Sequence, residues 1–440
     1  MPNFLRLGGR RVWMWGVLVI LIWFAAGSGC ATRLGLSRAS TSLEGPPLAE
    51  PPLFAAFQSQ ELVTTPEDWD ARREVLKQAF SDTLYGPYPA GETARVISHR
   101  VVDENYLDGA GRLEEIEVEI GAGSGKLSFE IAVAYPKTTS APDGYPLILA
   151  QSFCKNQASM RSDLLSVPDD DAGRDYCNGG WSAPIIRTIL GKYIESPPLE
   201  TILARGYAIA FIYASDIVAD SGDEGFAQLE AFASNFEEGR APEGVISVWA
   251  AAYGWGLDVL EADERIDASR TAVWGHSRHA KAVLWAMAHD ARIEAGISHQ
   301  SGTGGATLSR SLKGESVKQI TGSFPHWFVP KFAEYGKNEV ALPLDQHQLI
   351  ALSAPRPLLL GNGWNDVWSD PNGAFRAALE ADKAWELLGY EGLAQKDMKD
   401  QDHSRGELVF SMTSGTHGVR QDDWDAFLRF LDRFFKSAES

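Results

Sequence analysis

The sequence has little cysteine, no basic stretch outside residues 1–11 and no internal repeat. With 3 cysteines in 440 residues and no Cys or His spacing typical of a zinc site, it gives no indication of a metal centre. A net charge of −19 argues against nucleic acid as a partner, because phosphate binding needs clustered Lys and Arg. The apolar run 12–26 is shorter than the ~20 residues of a membrane span. We therefore expect no metal site, no nucleic-acid interface and no spanning helix.

Residues 1–30 have the parts of an export signal. Three arginines precede the apolar run 12–26, and small residues follow it. A run of this length suits the central part of a signal peptide, which export removes. We expect export to the periplasm of a Gram-negative bacterium.

The cysteines bear on how the exported protein is processed. Cys30 follows Gly-Ser-Gly, as at bacterial lipoprotein sites where the cysteine is acylated, but Gly27 stands where such sites usually carry an aliphatic residue. Two products stay open: a lipoprotein anchored to the outer membrane through Cys30, or a soluble protein cut elsewhere. Cys154 and Cys177 are then an even pair that could form a disulfide, and spacing alone does not decide whether they meet.

The rest of the chain divides into a tether and a folded domain. Residues 31–60 are rich in Ser, Pro, Leu and Ala without a period, which predicts a tether. We predict one domain over 61–440. It begins with an antiparallel hairpin, since the alternating stretches 113–120 and 127–135 are joined by Gly-Ala-Gly-Ser-Gly. Later strands and helices alternate, which predicts a mostly parallel sheet with helices on both faces. The polar, acidic segment 215–240 is predicted to be a long surface loop.

One strand-to-helix junction carries the first sign of chemistry. Residues 272–274 predict a short buried strand ending at Gly275, and a helix is predicted from Arg278 onward. Ser277 then lies at a sharp turn beside a helix N-terminus. This is the nucleophile elbow of the α/β-hydrolase fold, although His279 stands where the usual pattern has glycine. The alternative is a serine that only caps a helix.

A base and an acid follow in the order that this fold uses. His417 lies in a Gly-flanked loop between the last predicted strand and the terminal helix, where the general base belongs. Asp366 and Asp370 follow the strand before it. Functional side chains of such sheets gather at the carboxyl ends of the strands. We therefore predict that Ser277, an aspartate and His417 meet there.

The motifs around these residues resemble those of the glucuronoyl esterases, carbohydrate esterase family fifteen. The resemblance runs from about Arg205 to the C-terminus and is densest between 275 and 371. The matching motifs are Gly275-His-Ser-Arg-His-Ala-Lys281, Ser301-Gly-Thr-Gly-Gly-Ala306, Gly314-Glu315-Ser-Val, Phe324-Pro-His-Trp-Phe328, Leu342-Pro-Leu-Asp-Gln-His347, Ala354-Pro-Arg-Pro and Asp366-x-Trp368-Ser-Asp-Pro.

The resemblance implies roles for individual residues. Ser277 matches the nucleophile, His417 the base, and Arg278 an arginine that helps to stabilise the oxyanion. Three further positions match residues that contact the glucuronate ring: Lys281, Glu315 and Trp368. For these three the plain alternatives are a solvated lysine, a helix-capping glutamate and a core tryptophan.

The chain departs from the family at its acid. Many members have Glu at the position of Gln300, and glutamine cannot offset an imidazolium charge. Some bacterial members similarly lack that Glu and keep an acid after the later strand. Asp366 comes soon after the strand end, whereas Asp370 precedes Pro371 and suits a helix cap. We choose Asp366 as the acid, with Asp370 as the alternative.

The resemblance implies a serine esterase acting on esters of (4-O-methyl-)glucuronic acid, the lignin–carbohydrate links of glucuronoxylan, with no metal or organic cofactor. Two alternatives stay open. One is an acetyl or other carbohydrate esterase of the same fold, and the other a glycan-binding lipoprotein with a degraded site. Contacts to a sugar ring at Lys281, Glu315 and Trp368 would argue against the first. Intact Ser277 and His417 argue against the second.

Overall fold

A computed structural model describes residues 37–40, 51–54, 63–137, 141–167, 177, 180, 183–237 and 239–436. Its centre is a nine-stranded sheet in the order β1-β2-β3-β5-β4-β6-β7-β8-β9. The first three strands are antiparallel to their neighbours, and all pairs from β5–β4 to β8–β9 are parallel. The predicted fold class, a mostly parallel sheet with an antiparallel N-terminal hairpin, is confirmed.

The strands are β1 Arg95–Asn105, β2 Gly111–Ile120, β3 Leu127–Pro136, β4 Tyr145–Ser152, β5 Ala208–Tyr213, β6 Ile266–His276, β7 Ala295–His299, β8 Leu358–Gly363 and β9 Leu408–Thr413. The helices are α1 Pro66–Phe80, α2 Tyr106–Gly109, α3 Asn156–Ser159, α4 Ala183–Leu190, α5 Leu199–Ala204, α6 Ala214–Ile217, α7 Gly222–Ala233, α8 Val245–Leu260, α9 Arg278–His289, α10 Val317–Ser323, α11 Pro330–Glu334, α12 Gln346–Ala351, α13 Pro371–Leu387 and α14 Gln421–Phe435.

The core lies on both faces of the sheet. Successive residues of β5 show this, because Ala210 and Ile212 pack into one hydrophobic cluster and Ile209 and Phe211 into the other. Helices α1, α8, α9 and α13 contribute to the first cluster, and α5 and α14 to the second. Because both faces of a parallel sheet are covered, its central strands are continuously apolar. Polar functional groups are therefore expected at the ends of the strands.

The predicted surface loop 215–240 is wrong for part of its length. Helix α7 occupies Gly222–Ala233, with Asp223 and Glu224 in its first turn. Its acidic residues suit a helix N-terminus, where the helix dipole favours negative charge. Leu229 and Phe232 are buried against the core, so packing decides the structure of a segment that its polar composition had suggested was a loop.

The leader 1–30, with Cys30, lies outside the described residues. Two pieces of the predicted tether are described, and both contact the domain. Residues 37–40, which we call the N-terminal strap, run along the loop after β8: the Ala39 amide donates to the Trp364 carbonyl at 2.7 Å. Leu53 is buried, and its carbonyl accepts a hydrogen bond from Arg72 at 3.2 Å. These parts of the tether are thus attached to the domain.

Two further features concern export. Cys154 and Cys177 are joined by a disulfide, with their Cα atoms 5.5 Å apart, which answers the question that spacing left open. Within the described ranges, no helix combines the length and the apolar character that crossing a membrane would require.

Candidate active site

The strand-to-helix turn has the geometry that exposes a nucleophile. Strand β6 ends at His276, helix α9 begins at Arg278, and Ser277 between them has φ 58°. The Ser277 amide donates to the His299 carbonyl at 2.8 Å, which ties the turn to β7. A Cβ at Gly275 would lie 2.4 Å from the His279 carbonyl oxygen, so only glycine lets strand and helix approach this closely. The turn places Ser277 at the carboxyl end of the sheet.

Ser277, His417 and Asp366 form a continuous hydrogen-bonded chain. His417 Nε2 lies 2.9 Å from Ser277 Oγ, and His417 Nδ1 lies 2.8 Å from Asp366 Oδ2. With the Nδ1 proton donated to the carboxylate, Nε2 is free to accept the serine proton. The three residues come from the loops after β6, β8 and β9, as their chain order predicts. The arrangement is that of a nucleophile, a base and an orienting acid.

The surroundings of Asp366 keep it ionised. Its side chain is 2% exposed, and burial by itself would raise the pKa. His417 and the hydrogen bonds from His417 and Ser369 outweigh burial, and the pKa of Asp366 lies below its ordinary value. A carboxylate that remains charged can stabilise a protonated His417.

Asp370, the alternative acid, lies elsewhere. Its carboxylate accepts a hydrogen bond from the Ser311 hydroxyl at 2.6 Å. It occupies the residue before helix α13, but its side chain makes no capping hydrogen bond. The structure therefore brings Asp366 and not Asp370 to His417, and the cap that the sequence suggests for Asp370 does not form.

Arg278 lies in a pocket of aromatic rings and one carboxylate. Its guanidinium is 4.7 Å from the centre of the Trp327 ring and 5.2 Å from that of Phe153. It forms an ion pair with Asp220, and both side chains are about one-tenth exposed. Asp220 also accepts a hydrogen bond from Trp327 Nε1 at 2.8 Å. The ion pair holds the positively charged Arg278 guanidinium in place, one residue after the nucleophile.

Of the three predicted sugar-binding residues, Lys281 lies over the same Trp327 ring as Arg278. Lys281 is 3% exposed and donates to the Ser301 carbonyl, so it is not a solvated lysine. Burial lowers the pKa of Lys281 to about 8, against the opposing effect of Glu315. The Glu315 amide donates to the Trp368 carbonyl at 2.8 Å, which joins the two loops. Glu315 and Trp368 are both half-buried, so Trp368 is not a fully buried core position, and the N-cap of the helix after Glu315 is Ser316.

Histidines next to the nucleophile support the site from within. The His276 ring packs against that of His417, with centroids 4.8 Å apart, and its Nδ1 lies 3.2 Å from His299 Nδ1. Burial, together with the neighbouring histidines, holds the pKa of His276 well below its ordinary value, so this ring is neutral. His279 packs between Phe153 and Trp249. These contacts give His276 and His279 packing roles beside the nucleophile.

Sequence reasoning missed Asp220 and Ser369. Asp220 lies in the segment predicted to be a loop, and only the tertiary structure brings it to Arg278. Ser369 Oγ lies 3.2 Å from His417 Nδ1, and the only sequence signal was its position three residues after Asp366. In the part of the chain that the structure describes, no group of three or more His, Cys, Asp or Glu side chains could hold a metal ion.

Comparisons with known proteins agree with this arrangement. The family model described as "Glucuronyl esterase, fungi" matches residues 183–389. Carbohydrate esterase MZ0003, from an unknown prokaryotic organism, is 33% identical over 377 residues, covering 84% of this chain and 86% of that protein. The 4-O-methyl-glucuronoyl methylesterase 1 of Wolfiporia cocos is 27% identical over 77% of this chain and 73% of its own length.

Solved structures give the same result. A promiscuous CE15 esterase from a marine bacterial metagenome superposes with a TM-score of 0.77 at 30% identity, covering 90% of this chain and 99% of that one. A glucuronoyl esterase from Solibacter usitatus superposes with a TM-score of 0.76 at 28% identity, covering 90% and 100%. The resemblance found in the motifs is confirmed: the chain belongs to the glucuronoyl esterases, carbohydrate esterase family 15, which are carboxylic ester hydrolases.

Proposed function

We propose that the protein hydrolyses esters of (4-O-methyl-)glucuronic acid, such as the lignin–carbohydrate links of glucuronoxylan. The observation that carries this proposal is the chain of hydrogen bonds from Ser277 through His417 to Asp366, at 2.9 and 2.8 Å. Its family relatives include proteins named 4-O-methyl-glucuronoyl methylesterase. A hydrogen-bonded nucleophile, base and acid also argue against a glycan-binding protein with a degraded site.

The geometry supports a two-step acyl transfer. Ser277 Oγ attacks the ester carbonyl carbon while His417 Nε2 takes the serine proton, and the carbonyl oxygen becomes an oxyanion. The protonated His417, stabilised by Asp366, gives the proton to the leaving alcohol, and a glucuronoyl-serine ester remains. Water then attacks this ester with His417 again as base, and glucuronate leaves as Ser277 regains its proton.

Arg278 supplies the positive charge near the developing oxyanion. Its ion pair with Asp220 and its aromatic neighbours hold the guanidinium in one place, so little reorganisation is needed when negative charge appears. An electrostatic contribution of this kind acts in the transition state and raises kcat.

Lys281, Glu315 and Trp368 are proposed to bind the sugar ring. An ammonium and a carboxylate can each bond ring hydroxyls, and the Trp368 ring offers an apolar face. The buried position of Lys281 beside Glu315 supports this role, because a buried charge is costly unless it is paired or binds a ligand. Small acyl groups such as acetyl have no hydroxyls for these residues to contact.

The test compares release of alcohol from benzyl glucuronate with hydrolysis of acetyl esters. We expect turnover of the glucuronate ester, loss of that turnover in Ser277→Ala, and near-normal turnover in Ser298→Ala. Ser298 is a matched control because it is a buried serine whose hydroxyl bonds the Ala280 carbonyl at 3.0 Å. Preference for acetyl esters would favour the alternative carbohydrate esterase, and retained activity in Ser277→Ala would refute the mechanism.

We further propose that the protein is exported and carries a lipid at Cys30. The arginine-led apolar run and the small residues before Cys30 support this proposal. Cys30→Ala should change the processing of the precursor and move the protein from the membrane fraction to the soluble one. A wild-type protein recovered as a soluble periplasmic product cut elsewhere would contradict the lipid.

A further inference from the structure

Gln300 occupies an unusual position directly behind the catalytic base. It follows β7, its backbone φ is +51°, and its side chain is 1% exposed. Its amide N–H donates to the Gly361 carbonyl of β8 at 2.7 Å, so the backbone at this point is fixed by the sheet. A left-handed conformation is unfavourable for a residue with a side chain, and such positions are enriched at functional sites.

The side chain of Gln300 bonds the backbone on both sides of His417. Its Nε2 donates to the Thr416 carbonyl at 3.1 Å, and its Oε1 accepts from the Gly418 N–H at 2.7 Å. Only a side chain that carries both a donor and an acceptor can make this pair of bonds. An amide fits the site, and a carboxylate cannot donate to the Thr416 carbonyl.

The loop that carries His417 needs such support. It contains Gly415 and Gly418, and a Cβ at Gly418 would lie 1.9 Å from the Leu190 carbonyl oxygen. From the outside, the loop is bonded to the end of helix α4: the Val419 amide donates to the Leu190 carbonyl at 2.7 Å, and the Thr416 hydroxyl donates to the Ile189 carbonyl at 2.6 Å. From the sheet side, Gln300 brackets His417 itself. The base is therefore held between these two attachments.

We propose that Gln300 is a positioning residue that holds the His417 loop so that Nε2 faces Ser277 and Nδ1 faces Asp366. The inference rests on the proposed function for its substrate, but its mechanism concerns only how the base is placed. The residue that seemed to mark a missing carboxylate in the sequence thus has its own task. It fixes the backbone of the base instead of neutralising its ring.

The test uses Gln300→Met, which preserves length and removes both hydrogen bonds. Its matched control is Gln395→Met, because Gln395 is a buried glutamine that also bonds the backbone at both amide atoms, to the N–H and the carbonyl of Phe410, away from the site. We expect Gln300→Met to lower kcat by about 10- to 100-fold with little change in KM, as a small displacement of a catalytic group does. Gln395→Met should lower the melting temperature and leave kcat per folded molecule unchanged.

A second readout separates this inference from the choice of substrate. The rate at which a fluorophosphonate labels Ser277 reports the activation of the serine by His417 with no sugar involved. Slow labelling in Gln300→Met and normal labelling in Gln395→Met would support the inference even if benzyl glucuronate were not hydrolysed. Wild-type kcat and labelling in Gln300→Met would overturn it.

Gln300→Glu tests the same inference if the Met variant does not fold, because it preserves the shape of the side chain and the acceptor for the Gly418 N–H. We expect slower labelling than in the wild type, because the carboxylate faces the Thr416 carbonyl oxygen. Labelling and kcat equal to or above the wild type would overturn the inference, by showing that position 300 serves better as an acid.

Discussion

The two sides of Ser277 are built by different means. On one side, His417 is held by hydrogen bonds to Asp366 and by backbone contacts from Gln300. On the other side, Arg278 and Lys281 are charges packed against the Trp327 ring; Arg278 forms an ion pair with Asp220, and Lys281 donates to the Ser301 carbonyl near Glu315. The first arrangement fixes the direction of a proton transfer. The second holds two positive charges near the place where the substrate binds. It therefore suits substrate binding and oxyanion stabilisation.

Because the two sides are built differently, we expect variants on the His417 side to change kcat and variants of the binding residues to change KM. The largest effect should come from the base side. Asp366→Asn leaves the shape intact but removes the charge that stabilises protonated His417. We expect kcat to fall by roughly 10²- to 10⁴-fold with little change in the melting temperature, as in triads where the acid becomes an amide. Steady-state kinetics on benzyl glucuronate check this, and a near-normal kcat would mean that another group orients His417.

The next effect tests whether Arg278 acts in binding or in catalysis. The double variant Arg278→Met/Asp220→Asn removes both partners of the ion pair, so that no buried charge is left unpaired. We expect kcat to fall by about 10²- to 10³-fold, the usual cost of losing an oxyanion donor. Asp220→Asn alone should cost less, since the guanidinium remains. If the double variant has a higher KM and an unchanged kcat, Arg278 belongs with the binding residues.

A smaller effect is expected at Lys281. Replacing Lys281 by Met removes the charged donor that we propose for the sugar and should lower kcat/KM by about 10- to 150-fold, mainly through KM, as expected for 1.5–3 kcal/mol. Burial disfavours the charged form of Lys281, so the variant should be at least as stable near neutral pH. Thermal unfolding measured beside the kinetics checks both expectations. A variant with unchanged kcat/KM would remove Lys281 from the binding site.

The lowered pKa of Lys281 also predicts a pH dependence. Below about pH 8 the folded protein keeps the ammonium, and above it the group becomes neutral, so KM for the glucuronate ester should rise as pH passes 8. The stability of the fold should increase with pH while substrate binding weakens. Between about pH 8 and the ordinary lysine pKa of 10.5, the unfolded chain binds more protons than the folded one, so the free energy of unfolding should increase with pH. Lys281→Met should lose both trends.

The smallest effect is expected at Asp370, which serves as the control for Asp366. Asp370→Asn weakens one hydrogen bond from Ser311 and should lower the free energy of unfolding by about 1 kcal/mol, with kcat unchanged. Denaturant titration and turnover measured on the same preparation check this. A variant that folds normally but is inactive would exchange the roles of the two aspartates.

Much of this site could be predicted because its signals are local in the sequence. A strand, a glycine and a helix former surround Ser277, and the chain order of Ser277, Asp366 and His417 is set by the order of the strands. The burial of Lys281 and the partner of Arg278 could not be predicted in this way, since they depend on which loops meet at the sheet edge. Gln300 shows the same limit: the sequence revealed a missing carboxylate, but the hydrogen bonds to Thr416 and Gly418 exist only in the folded loop.

The N-terminal strap links the site to the question of where the enzyme works. Residues 37–40 lie along the loop that carries Asp366, with Ala39 bonded to Trp364 and the Ser37 carbonyl bonded to the Asn365 side chain at 3.2 Å. If Cys30 carries a lipid, the chain from Cys30 to Ser37 reaches at most roughly 25 Å when fully extended. The catalytic edge of the sheet would then stay within a few nanometres of the bilayer. Such an enzyme would act on soluble oligosaccharide fragments that diffuse to the membrane surface, and could not move along an intact cell-wall polymer.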